Sequence, residues 1–291
     1  MMRSQDAVDG ALDLILAGWR VRLVCAPQAL AQAARARYAA FVAPIGGPAD
    51  LVIAAAAEPG MSPGAHAAHM LEAPLRPDAA GYRLDADGIA ASIQPDLGRA
   101  TLALATAEPL GSLEYFLRIA CALLAFHRGG VLLHAAGLLA GGQAYLFTGV
   151  SGSGKSTVTA LSPHALALSD DLVLLRPGEA GWLAHGTPFW NPDAASRAGQ
   201  TANGPIAGIY KLVKAPAVRV EPLSAAAAAA ELAANCPVVN GRPELLPELL
   251  ARCRDLARAV PVRRLHFRKD ASFWAAVNAN LIIQEVHSDA T

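Results

Sequence analysis

Gly149-Val150-Ser151-Gly152-Ser153-Gly154-Lys155-Ser156-Thr157 decides how this chain is read. The stretch fits G-x-x-x-x-G-K-[ST], a loop whose backbone N–H groups, one lysine and one hydroxyl hold the phosphates of a nucleotide and its Mg²⁺. A chain of this length shows the pattern by accident on the order of once in a hundred sequences, so the flanking residues have to carry the rest. Ala144-Tyr145-Leu146-Phe147-Thr148 reads as a short buried strand running into the loop, and Lys155 to Leu161 as a helix leaving it. The motif needs that order, because the helix N-terminus adds its own dipole to the phosphate site. Gly149, Ser151, Gly152, Ser153, Gly154, Lys155, Ser156 and Thr157 are therefore candidate nucleotide-binding residues. A glycine-rich turn with an incidental lysine is the plainer alternative.

The residues on either side narrow what such a site would do. Val131-Leu132-Leu133-His134-Ala135-Ala136-Gly137 reads as a strand, and a turn at Gly141-Gly142 returns the chain into the loop strand, which predicts a hairpin. Past the loop, Ala165-Leu166-Ala167-Leu168-Ser169-Asp170-Asp171 is an apolar strand ending in two carboxylates, and Leu172-Val173-Leu174-Leu175 continues as strand. Asp170 lies fifteen residues past Lys155, so both can reach one side of a sheet's carboxyl edge. Two adjacent carboxylates there suggest a division of labour, one taking the proton of an attacking hydroxyl and the other holding the metal. A solvated turn or a capping pair is the bland alternative. On spacing alone, a strand histidine such as His134 is more often a packed core residue than a catalytic one.

The order Leu133-His134-Ala135, Gly149 to Thr157, Ser169-Asp170-Asp171 resembles the C-terminal domain of HPr kinase/phosphorylase. That family has a histidine on the strand before the loop and an Asp-Asp pair shortly after it. The same short spacing occurs in ATP-dependent phosphoenolpyruvate carboxykinases, which share the family's nucleotide-binding core. The chain is most similar in look to HPr-kinase-like proteins of bacterial biosynthetic clusters, including kinases that phosphorylate lasso-peptide precursors. The likeness extends to Gly186-Thr187-Pro188-Phe189-Trp190 and, more weakly, to Ile209-Tyr210-Lys211-Leu212 and Pro261 to Phe267. Carried over by position, it implies Asp170 as base for a serine hydroxyl and Lys155 as holder of the β- and γ-phosphates. It implies Ser156 as a Mg²⁺ ligand, with Asp171 as the carboxylate left for the metal, and His134 beside the transferred phosphoryl group. The first hundred residues match only in general layout.

Two departures limit the resemblance. HPr kinases carry a metal-binding glutamate after the Asp-Asp strand, whereas here the region reads His185-Gly186-Thr187-Pro188-Phe189-Trp190-Asn191-Pro192-Asp193, with Asp193 only a weak substitute. For the family's C-terminal arginine, Arg263, Arg264 and Arg268 are candidates and none is singled out. Both departures speak against a reverse phosphorylase reaction and against HPr as the substrate.

Composition sets outer bounds. Hydrophobic residues at 54% with 16% charged describe a foldable globular chain, and the balance of 24 basic against 24 acidic residues gives no global field to attract nucleic acid or membrane. Lysine occurs only at 155, 211, 214 and 269, so Lys155 stands out in a chain that otherwise uses arginine. Cys25, Cys121, Cys236 and Cys253 are scattered without a C-x-x-C pair and read as buried thiols in a reducing compartment. No apolar run is read as a membrane span, since the helix near 113–126 carries Glu114 and Arg118, and no signal peptide is read at the start. A cytoplasmic location is the expectation.

Elsewhere the first region reads as strands at 11–16, 21–24, 51–53, 82–84, 89–93 and 101–104, with a helix from Ala29 to Val42. His66 and His69 fall in a Gly/Pro-rich loop and read as loop surface, not as a metal pair. Leu110 to His127 reads as an amphipathic helix and a hinge between the halves. Later come strands at 206–213, 218–220 and 261–267, and helices at 223–235 (Ser224 as N-cap), 244–260 and 272–283. The expected fold is α/β: an HPr-kinase-like loop core of mixed β-sheet with flanking helices over 109–291, preceded by a smaller α+β region over 1–108. The expected activity is transfer of the γ-phosphoryl of ATP, with Mg²⁺, to a serine-type hydroxyl of a peptide or protein. A small-molecule kinase and a non-catalytic ATP-dependent scaffold are the alternatives, and the oligomeric state, a homo-oligomer included, stays open.

Overall fold

The computed structural model describes residues 10–61, 74–78, 80–86, 88–189 and 200–279. His66, His69, Trp190, Asn191, Pro192 and Asp193 lie outside the described residues. The chain is of the mixed α/β class, with two large mixed sheets, and divides into two compact units. The first comprises Met1–Gly130 and Pro237–Gly241, the second Val131–Cys236 and Arg242–Thr291.

In the first unit, eight strands form one sheet: β1 (Ala11–Leu16), β2 (Trp19–Ala26), β3 (Val42–Ala43), β4 (Leu51–Glu58), β5 (Leu75–Asp78), β6 (Gly81–Ala86), β7 (Ile89–Gln94) and β8 (Arg99–Ala105). Their order is β3-β1-β2-β4-β8-β7-β6-β5, with β2, β4 and β8 mutually parallel and the other pairs antiparallel. Side chains alternate across a pleated strand. In β2, Trp19, Val21, Leu23 and Cys25 are buried while Arg20 and Arg22 face the other way. Helix α1 (Gln28–Arg37) is shorter than the sequence suggested, because at Tyr38 the chain tightens into a 3₁₀ turn, Ala39–Phe41, and then pairs as β3.

Helix α2 (Pro109–His127) belongs to this unit, so the compact division falls at Gly130 and not at 108. The reason is packing. Leu113, Phe116, Leu117, Ile119, Leu123 and Leu124 are all buried, each contributing about 2 kcal/mol by leaving water. Its polar residues are tied down as well: Arg37 donates to both carboxylate oxygens of Glu114, at 2.9 and 3.1 Å, and Arg118 donates to Glu114 at 2.9 Å. By length and composition α2 is apolar enough to cross a bilayer, contrary to the sequence reading, but in this fold 72% of that window is buried.

The second unit contains β9 (Val131–Ala140), β10 (Gln143–Thr148), α3 (Lys155–Ala160), β11 (Leu166–Ser169), β12 (Leu172–Gly178), β13 (Gly181–His185), β14 (Asn203–Lys214) and β15 (Arg219–Pro222). Helices α4 (Ala225–Ala234) and α5 (Leu246–Ala259) and strand β16 (Val262–Phe267) complete it, and residues 273–279 are helical. The β9–β10 hairpin forms across Gly141-Gly142, as the sequence predicts. β10 also pairs in parallel with β14, and β14 with β16. Two long strands do double duty. β9 holds β12 along 131–134 and β11 along 137–139, while β14 holds β13 at its start and β10 and β16 farther on. The strand expected to run unbroken from 165 to 175 is therefore two strands, interrupted at Asp170-Asp171.

A core of Phe147, Tyr210, Leu265, Phe267, Phe273 and Trp274 lies beneath α3, with Phe147 and Tyr210 stacked at 5.7 Å and Phe273 edge-on to Phe147 at 6.0 Å. Trp274 Nε1 donates to Ser162 Oγ at 2.8 Å, so the buried indole N–H is satisfied.

Candidate functional site

The glycine-rich segment runs from the end of β10 to the start of α3, the strand–loop–helix order the motif requires. Gly149 and Gly154 have φ of 145° and 115°, a region L side chains rarely adopt. Each also lacks room. A Cβ on Gly149 would lie 2.6 Å from Ser153 Oγ, and one on Gly154 would lie 2.5 Å from Phe267 Cζ. Phe267 at the end of β16 therefore packs directly on the loop. Ser153 N–H donates to Val150 O at 3.0 Å, closing the turn. Ser151, Gly152 and Ser156 are exposed, and Thr157 is half-buried, so the loop and the first turn of α3 face solvent.

Lys155 is only 9% exposed, and its ammonium donates to the carbonyl of Gly149 at 2.6 Å. Burial lowers its pKa, and the nearby Asp171 carboxylate works in the opposite direction. A loop that holds its own lysine in this way keeps a cation in place among backbone amides, the chemistry an anionic phosphate requires.

The β11–β12 break lies against β9. Asp170 is 3% exposed, whereas Asp171 is partly exposed and lies 3.4 Å from His134 Nε2. Backbone bonds fix both partners: Asp171 O accepts from Ala135 N–H at 3.0 Å, and His134 N–H donates to Asn235 O at 2.7 Å. The break is clamped from behind. Ser169 Oγ donates to Phe189 O at 2.5 Å and accepts from the N–H groups of Asp171 (3.2 Å) and Leu172 (3.1 Å). Thr187 Oγ1 donates to Leu172 O and accepts from Phe189 N–H. The segment Gly186-Thr187-Pro188-Phe189 is thus the support of the carboxylate pair. Burial and Arg176 lower His185, just before it, to about 4, so its ring is neutral near pH 7.

His134 and Asp171 thus come together, and Lys155 joins them through its electrostatic contact with Asp171. The three arginines of interest go to different places. Arg263 stands opposite Tyr210 in the β14–β16 ladder. Arg264 faces Glu221 at 3.6 Å. Arg268 follows Phe267 at the end of β16 and pairs with Asp270. Sequence reading missed Glu231 and Lys211. Glu231 is 8% exposed and accepts from Thr148 Oγ1 (3.0 Å), Lys211 Nζ (2.5 Å) and Asn235 Nδ2 (3.0 Å). The signals were present: a lone charge within the alanine run of α4, and one of only four lysines.

A family model described as SynChlorMet cassette protein ScmC matches residues 117–282, more than half of the chain. The chain belongs to the ScmC family. The match covers the glycine-rich loop, the Asp170-Asp171 break, His134 and Glu231, whereas all eight strands of the first unit's sheet lie outside it. The family's description names a cassette and no reaction. No curated protein matches the chain.

Proposed function

We propose that this ScmC-family chain is an ATP-dependent kinase that phosphorylates a serine-type hydroxyl of a peptide or protein. The observation that carries the reading is the grouping of a loop lysine, a carboxylate and a histidine at one end of the second sheet: Lys155 under the electrostatic influence of Asp171, and Asp171 at 3.4 Å from His134. The spacing from loop to Asp-Asp pair, shared with HPr kinase, supports an HPr-kinase-like core.

In the proposed step the acceptor Oγ attacks the γ-phosphorus, its proton passes to the Asp170 carboxylate, and the bond from that phosphorus to the β-phosphate oxygen breaks to release ADP. Lys155 and the loop amides hold the β- and γ-phosphates, and His134 flanks the transferred group. Catalysis of this kind is mostly positioning and charge neutralisation. Ser156, exposed at the first turn of α3, and Asp171 are the residues that would hold a Mg²⁺ arriving with the nucleotide. When bound, the ion neutralises charge on the phosphates.

The test is transfer of labelled γ-phosphate to precursor peptides encoded beside the gene, read by mass spectrometry as one added phosphate on serine. Nucleotide binding with negligible turnover on every peptide would instead indicate a scaffold, and phosphorylated low-molecular-weight products a small-molecule kinase.

A further inference from the structure

We propose that Glu231 is a positioning residue of the nucleotide loop, with Lys211 as its counter-ion; the inference deepens the reading of Gly149 to Thr157 as a phosphate site and rests on it. Helix α4 is alanine and leucine except at Glu231, yet that carboxylate is buried. Burying it is costly unless charge and lone pairs are matched. Here they are. Lys211 supplies the charge at 2.5 Å, and Thr148 and Asn235 supply two further donors at 3.0 Å. Lys211 keeps 41% of its side chain exposed and so remains hydrated while serving the buried partner.

The donors are not arbitrary. Thr148 is the last residue of β10, its carbonyl carbon bonded to the nitrogen of Gly149, and Gly149 O is the acceptor that holds Lys155 Nζ. Thr148 also pairs with Lys211 in the parallel β10–β14 ladder, so the helix carboxylate closes a three-point contact across two strands. One helical turn on, Asn235 donates to both the side chain and the carbonyl of Glu231, and its own carbonyl accepts the N–H of His134. The single turn 231–235 thus fixes both the strand end that feeds the loop and the strand that carries His134. A carboxylate next to a phosphate site would, by charge alone, weaken anion binding. Its placement makes sense through the geometry it imposes.

That opposition of signs makes Glu231→Gln decisive. If charge were its only influence, the variant would bind MgADP more tightly. If it positions the loop, binding weakens by about tenfold, the scale of losing a hydrogen bond to a charged group. Amide hydrogen exchange over 149–155 should then rise by a similar factor. Thr148→Val, nearly isosteric, should reproduce both effects and Thr148→Ser restore them. The double variant Glu231→Gln/Thr148→Val should lose less than the sum of the two single losses, because Thr148→Val removes one of the contacts that Glu231→Gln disturbs. Unchanged or tighter MgADP binding in Glu231→Gln, or additive losses in the double variant, would overturn the proposal. If Glu231→Gln does not fold, Thr148→Val and its serine rescue decide. If the wild-type chain binds neither MgADP nor MgATP, the phosphate-site reading fails by itself, and the exchange data in the same variants still report whether Glu231 holds the loop.

Discussion

The two sheets of this molecule use buried charge in opposite ways. In the first, Asp13 in β1 is fully buried and meets Arg20 at 2.7 Å, Arg22 at 2.7 and 2.9 Å and the Gly46 N–H at 3.2 Å. Its ladder is regular on both sides, and these groups join β1, β2 and the loop after β3. In the second, the ladder is interrupted where Asp170 and Asp171 stand, and the buried Glu231 supports a loop. Regular pairing satisfies backbone groups and leaves little for a ligand to do. An interrupted ladder leaves polar groups at the interruption, where side chains such as Ser169 and Thr187 have to clamp it. A buried carboxylate in a continuous sheet stabilises the fold, and one at a break can be used for chemistry.

Experiments that separate the two units break or sharpen this contrast. The largest effect is expected from Asp170→Asn, which should cut phosphoryl transfer by about 10³-fold, within the range of general-base catalysis, while MgATP binding persists. Wild-type transfer by the variant would remove Asp170 from the proposed role. Asp13→Asn should do the reverse, lowering unfolding free energy by about 3 kcal/mol in denaturant melts, since it leaves two arginines without their carboxylate, yet leaving nucleotide affinity intact.

Acid should unfold the units in different windows. His185 in the second unit has its folded pKa lowered from 6.5 to about 4, so the unfolded chain takes up a proton first and stability falls as pH drops from about 6.5 to 4. Asp13 in the first unit is lowered from 3.8 to about 2 by its arginines, so its contribution, complete above pH 3.8, is lost as pH falls towards 2. Limited proteolysis across that range should cut the second unit before the first, and His185→Gln should erase the earlier step. Coincident cleavage in both units would contradict the assignment. The smallest effect is expected from Ser224→Ala. Its Oγ accepts the Ala227 N–H at 3.3 Å as the N-cap of α4, and its loss should cost about 1 kcal/mol in thermal melts.

Much of this was legible in residue order. The loop, the hairpin returning through Gly141-Gly142, the apolar strand before Asp170-Asp171 and the Ser224 cap are local features, and local chemistry announces them. Helix α1 was read too long because Ala39 and Phe41 suit a helix as well as the 3₁₀ turn they form, and only the pairing of Val42–Ala43 with β1 ends it. Which unit α2 joins was harder to read. Its apolar face was plain, but which sheet it covers is not written in its spacing.

Sequence alone determined that a phosphate-type loop stands between a strand and a helix, with a histidine one strand before it and two carboxylates one helix after. Those features depend on neighbours in the chain and on backbone conformations only glycine adopts easily. Tertiary structure alone decided that Asp171 meets His134, that Phe267 packs on Gly154, and that Glu231 reaches Thr148 across 83 residues of chain. Such contacts arise because β9 and β14 each serve several partners and α4 packs where a buried carboxylate can be matched. That requirement is met only when the whole sheet has formed.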